Sequence, residues 1–161
     1  MKIIARDRVL AHSANAPLIS HFAGSGRRPG LPPVARPEDV EHPYYTLGTH
    51  PDLVARLWDE LAKDLPTECR AVFLGVPALI HPTTGVVFAF AGGTHTYALR
   101  LPQPAREEAL QAGAVRIHTY ASQPALDVGA FGEEWVLGGW LRGEEAWCSA
   151  AYGAAGSADI G

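Results

Sequence analysis

The stretch RAVFLGVPALIHPTTGVVFAFAGGTHTYALRLP, residues 70–102, decides the architecture. Strand-forming residues fill three runs: Ala71 to Ile80 with Gly75-Val76-Pro77 in its middle, Val86 to Ala91, and His95 to Leu101. His81-Pro82-Thr83-Thr84-Gly85 separates the first two and Gly92-Gly93-Thr94 the last two, with Gly85, Gly92 and Gly93 available for the positive φ of tight hairpins. Period-2 alternation places Val86, Phe88 and Phe90 on one face, and His95, Tyr97, Leu99 and Leu101 likewise, as in antiparallel strands packed on a core. So apolar a meander needs covering helices, and the flanking sequence supplies them.

Upstream, Thr49-His50-Pro51-Asp52 reads as a helix start, with Thr49 as N-cap and a proline in the first turn. Leu53, Val54, Leu57, Trp58, Leu61 and Leu65 follow at helical spacing. Arg56, Asp59, Glu60 and Lys63 are expected to face water, and Pro66 ends the helix. Downstream, Pro102 and Pro104 introduce a helix over Ala105 to Ala112 that Gly113 closes. Val115 to Tyr120 reads as a fourth strand and Trp135 to Leu141 as a fifth, with a bulge at Gly138-Gly139. A last amphipathic helix runs from Glu144 to Ala155. The expectation is an α+β fold, an antiparallel sheet of about five strands with helices packed on one face.

The first 43 residues differ in composition from the rest. Pro29, Pro32, Pro33, Pro37 and Pro43, with Gly24, Gly26 and Gly30, exclude a long helix or a central strand over residues 24–43. Residues 1–43 are therefore read as an arm or linker, with an edge strand over Lys2 to Leu10 and a short helical turn over Ala16 to Ala23. Residues 44–155 are read as a single domain and 156–161 as a flexible tail. The arm is basic: residues 1–36 hold six cations, among them Arg27 and Arg28, against Asp7 alone, a net +5 in a chain of net −4. The acidic remainder, at −9, disfavours general nucleic-acid binding, since each phosphate contact needs a cation, and leaves residues 1–36 as its only route.

Cys69 and Cys148 lie far apart in a chain without a recognisable signal peptide, so buried free thiols and a cytoplasmic location are expected. No apolar run approaches the roughly 20 residues that span a bilayer, and no membrane association is expected. The seven histidines lack the paired spacing of a zinc site, so neither a metal nor another cofactor is expected. His81 and His95, at strand ends of one meander, are the pair able to approach each other. There is no Gly-x-Ser-x-Gly elbow and no P-loop lysine after Gly24-Ser25-Gly26. The carboxylate pairs, Glu144-Glu145 among them, are assigned to helix dipoles and solubility.

The second half resembles a known family. The Phe-rich strand Val86 to Ala91, the strand ending Ala98-Leu99-Arg100-Leu101-Pro102, the helix Arg106-Glu107-Glu108-Ala109-Leu110 closing at Ala112-Gly113-Ala114, then Glu134-Trp135-Val136 and a last helix with Ala151-Tyr152 are similar in order to the small α+β domains of the YjbR and TfoX N-terminal type. The resemblance covers residues 84–155. It implies a non-enzymatic module for which nucleic-acid or protein binding is the expected role.

The chain thus reads as a non-catalytic binding protein whose partner is another protein or a second copy, a homodimer being the simplest form. Its contact candidates are Arg27, Arg28, Tyr44, Tyr45 and the Trp135 to Trp140 edge. The alternative is a small-molecule-binding protein or enzyme with a pocket around His95, built from His81, Tyr97 and Arg100.

Overall fold

The computed structural model describes residues 6–23, 32–47, 49–92, 96–116, 135–138 and 141–157. Among these, seven strands form one antiparallel sheet. They are β1 (Val34–Ala35), β2 (Arg70–Phe73), β3 (Val76–Ile80), β4 (Val87–Gly92), β5 (Thr96–Arg100), β6 (Val115–Arg116) and β7 (Trp135–Gly138), in the order β1-β2-β3-β4-β5-β7-β6. The α+β class and the antiparallel sheet are as expected. The expected run over residues 71–80 supplies both β2 and β3, and the expected strands over 86–91, 95–101, 115–120 and 135–141 correspond to β4, β5, β6 and β7, with residues 117–120 outside the described residues.

The helices are α1 (Arg6–Ala11), α2 (Ala16–Ala23), α3 (Pro43–Thr46), α4 (Pro51–Ala55), α5 (Ala105–Ala112) and α6 (Glu144–Gly156), with α4 running on as a π-helical stretch over Arg56–Leu61. None is long and apolar enough to cross a membrane.

Alternation along the strands divides the core in two. Val72, Leu79, Tyr97, Leu99 and Val136 face α4, its continuation, α5 and α6, where they meet Leu53, Leu57, Trp58, Ala109, Trp147 and Ala151. Ala71, Phe73, Ala78, Ile80, Ala98 and Trp135 face the other way, in one cluster with Val9 and Leu18 of α1 and α2. The principal helices therefore cover one face as expected. The N-terminal segment covers the other, and its β1 pairs with β2.

Four local expectations are corrected. Residues 71–80 are two strands: Leu74 and Gly75 both take positive φ, 50° and 83°, and this two-residue turn folds β3 back on β2 in a hairpin. The register of β3 with β4 shifts between Leu79 and Ile80, opposite Ala89 and Val87, leaving Phe88 as an extra residue. That bulge moves Phe90 to the α1–α2 side with Val87, while Val86 and Phe88 stay on the α6 side. Arg6–Ala11 is helical, so the expected strand over Lys2 to Leu10 is absent from its described part. Finally, the cap of α4 is His50, whose Nδ1 accepts from the Asp52 amide at 3.1 Å; Thr49 is buried, and its hydroxyl donates to Ala91 O at 3.4 Å.

Side chains of the α1–α2 layer tie it to the sheet. Asn15, fully buried, donates to Val9 O and Gly85 O at 2.8 Å each and accepts from the Val87 amide at 2.9 Å. Its amide thus connects α1 to the β3–β4 turn. Arg8 adds a guanidinium bond to Thr83 O.

Candidate functional site

Three groups of polar side chains meet α6, one at its first turn and two along its second half. At the first turn, Glu144 is fully buried although it opens the helix. Tyr97 of β5 donates its hydroxyl to Glu144 Oε1, and Arg56 Nη2 donates to the same oxygen at 2.9 Å. The Arg56 guanidinium also reaches Glu60 at 2.8 Å and Glu145 at 3.1 Å. Arg56, Leu57 and Trp58 are consecutive, an arc of about 200° on a regular helix, and all three are buried. The expectation that Arg56 faces water is therefore corrected: between α4 and α6 the covering is wide enough to enclose it.

Burial works against the Arg56 charge, but the bonds to Glu144 and Glu60 and the nearby carboxylates outweigh it and move its pKa up. Burial moves the Glu144 carboxyl up as well, against the opposing pull of the Leu141 backbone and Arg56. Glu144 Oε2 and Arg56 Nε have no hydrogen-bond partner among the described residues. The cluster is a buried ion pair with Tyr97 locked onto it.

Along the second half of α6, Tyr152 and Gly156 form one i, i+4 stripe against His81. The imidazole stacks on Tyr152 with ring centroids 4.8 Å apart. Its Nδ1 accepts from the amides of Thr83 and Thr84 at 3.1 and 3.3 Å, which assigns the ring proton to Nε2. A Cβ on Gly156 would lie 2.7 Å from that Nε2, so the helix approaches this closely only with glycine there. Burial lowers the His81 pKa. Thr84, on the same turn, donates its hydroxyl to Ala155 O at 2.9 Å.

The neighbouring stripe of α6, Ala151 and Ala155, with Ala154, lines a cleft of about 330 Å³. Its other walls are Arg100, Leu101 and Pro102 at the end of β5, and Arg106 of α5. Arg106 is anchored twice: its amide donates to Pro102 O at 2.9 Å and its Nε to Leu101 O at 3.2 Å. A guanidinium has five N–H donors, so the Nε bond leaves the two Nη groups, four donors in all. These suit the paired oxygens of a carboxylate, phosphate or sulfate.

Of the sequence candidates, Arg100 lines the cleft. Tyr97 lies under the first turn of α6 and His81 beside its last, so the structure does not bring them together. Trp135 is 1% exposed and packs on Phe90 at 5.3 Å, inside the core. Tyr44 is half-buried, edge-on to Trp58 at 5.5 Å, and its hydroxyl donates to Asp59 at 2.9 Å. Tyr45 is 74% exposed. Arg27, Arg28, His95 and Trp140 lie outside the described residues. Sequence reasoning missed Arg106, whose available signal was its place after two prolines that fix a turn between it and Arg100.

The thiols of Cys69 and Cys148 are buried, and burial pushes both up to about 12. They are protonated at neutral pH. The folded protein is expected to leave both thiols unmodified by a thiol-specific reagent at neutral pH, and the denatured chain to take up two equivalents; rapid labelling of the native form would contradict the burial. Among the described residues no group of three His, Cys, Asp or Glu side chains is placed to hold a metal ion.

No family model matches this chain, and no curated protein or solved structure matches it.

Proposed function

We propose that the protein is a non-catalytic binding protein for a small anion or an anionic group, seated in the cleft between the β5–α5 connection and α6. The observation that carries this reading is Arg106, whose guanidinium is fixed by Leu101 O at the wall of a cleft that Arg100 shares. A donor held before the ligand arrives saves the entropy of immobilising a long side chain. At about 330 Å³ the cleft is at the small end of ligand sites, and its alanine and leucine surface favours a compact ligand with one apolar side.

The absence of catalysis is supported by how the reactive groups are employed. His81 uses Nδ1 to hold a turn, Tyr97 is bonded to Glu144, and both thiols are buried. The resemblance of residues 84–155 to the YjbR and TfoX N-terminal type points the same way.

Calorimetric titration with inorganic sulfate and with short-chain carboxylates tests this. Binding to the unmodified protein is expected, with Arg106→Ala weakening it by about 10- to 100-fold, as loss of a charge-assisted hydrogen bond implies. Equal affinity in the variant, or no heat with any anion, would refute the assignment.

A further inference from the structure

The cleft and the His81 turn share one residue. Ala155 lines the cleft, and its carbonyl is the acceptor for Thr84. Thr84 in turn is held by its amide bond to His81 Nδ1, alongside that of Thr83. From this geometry we infer that anion binding in the cleft is gated by the protonation of His81: the neutral imidazole holds the last turn of α6 in its binding position, and the imidazolium releases it. The inference rests on the cleft being the anion site proposed above.

The step is a proton transfer from solvent to Nδ1. A proton there converts the acceptor of two amides into a third donor facing them, so both bonds are lost and an N–H is set against two N–H groups. The ring has little room to swing away, with Tyr152 stacked on one face and Gly156 against Nε2. The Thr83–Thr84 turn must therefore move, and with it the Thr84 hydroxyl that holds Ala155 O.

Among the described residues, the titratable and charged groups around the ring belong to α6, α1 and the segment ahead of β2. Tyr152 of α6 stacks on it, and Arg8 of α1 reaches the turn at Thr83 O. Glu68 and Cys69, ahead of β2, act on Tyr152, whose own pKa is raised chiefly by burial. For His81 itself burial is the governing influence, so the neutral form is favoured in the folded protein. The contribution of His81 to holding α6 is present above its ordinary value of 6.5 and is lost as pH falls below it toward the lowered folded value.

The sign of the effect is diagnostic. An imidazolium acting only as a nearby positive charge would tighten anion binding in acid, whereas release of Ala155 weakens it. Sulfate keeps its charge across this range and is the probe. Because the folded His81 takes up its proton only below 6.5, titration of the full chain is expected to give roughly tenfold weaker sulfate binding at about pH 4.5 than at about pH 7.5, a coupling of ordinary allosteric size. His81→Asn keeps a side-chain oxygen able to accept from the Thr84 amide but does not titrate near neutrality. It is expected to bind equally at both pH values. Wild-type binding that is unchanged or tighter in acid overturns the gating and leaves the cleft assignment intact. A drop in His81→Asn as large as in the wild type overturns it too, because the titrating group would then lie elsewhere. No sulfate binding at either pH refutes the cleft itself.

Discussion

Arg56→Ala is expected to destabilise the protein by about 3–5 kcal/mol, the cost of leaving one member of a buried ion pair without its partner. Glu144 is fully buried, and Arg56 is the cation bonded to it. Removing the guanidinium leaves a carboxylate that must either stay charged in the core or take up a proton. The same substitution frees Glu60 and Glu145, but both are more than half exposed and rehydrate at little cost. Glu144→Gln is expected to cost far less, about 1–2 kcal/mol, since an amide oxygen still accepts from Tyr97 and Arg56. The double variant Arg56→Met, Glu144→Leu is expected to recover much of the loss, because it removes both desolvated charges together. Urea denaturation of the four proteins reads this out directly. An Arg56→Ala midpoint equal to that of the wild type would mean that the pair is solvated rather than buried.

Asn15→Ala carries the second large effect, expected at about 3 kcal/mol, and its signature is regional. The substitution leaves the Val87 amide and the Gly85 and Val9 carbonyls without their partner, and each buried group left unpaired costs roughly 1–3 kcal/mol less whatever water recovers. The affected groups are the joint between α1 and the β3–β4 turn. Hydrogen exchange should therefore accelerate in residues 6–23 and around Gly85 ahead of the rest of the sheet. Uniform loss of protection would show that the α1–α2 layer does not open as a unit. Leu18→Ala, which removes apolar contact from the same layer but no hydrogen bond, separates the polar joint from simple packing.

What the chain discloses of this fold depends on whether the signal is local. The limits of α5 were legible because Pro104 and Gly113 flank it, and Gly113 takes φ 119° to end the helix. The start of α6 was legible too, at Glu144. The Leu74-Gly75 turn was hidden because leucine, a residue that rarely takes positive φ, occupies a turn position, so residues 71–80 read as one run. The Phe88 bulge was hidden because the alternation of Val86, Phe88 and Phe90 is unbroken in sequence and only pairing with β3 interrupts it.

The site was less legible still. Arg56 and Glu144 are 88 positions apart, and each has the local setting of a solvated helix charge. Only the approach of α4 and α6 shows that they share one enclosure. Arg100 was read as a candidate for a pocket with His81 and Tyr97, yet Arg100 and Tyr97 are three positions apart on β5 and therefore on opposite faces, Arg100 directly across from Trp135 and Tyr97 under the first turn of α6. His81 is placed differently from the pocket its sequence position suggested: its Nδ1 accepts from the Thr83 and Thr84 amides, and the Thr84 hydroxyl donates to Ala155 O at the end of α6.

The most direct test of the cleft is a two-dimensional amide and arginine-side-chain NMR titration of the full chain with inorganic sulfate near neutral pH. Saturable shifts confined to Arg100, Leu101, Arg106 and the Ala151, Ala154 and Ala155 amides, including the Arg106 side-chain N–H, are expected, and they should disappear in Arg106→Ala. Shifts that stay linear in sulfate, or that map to another face of the sheet, would contradict the assignment.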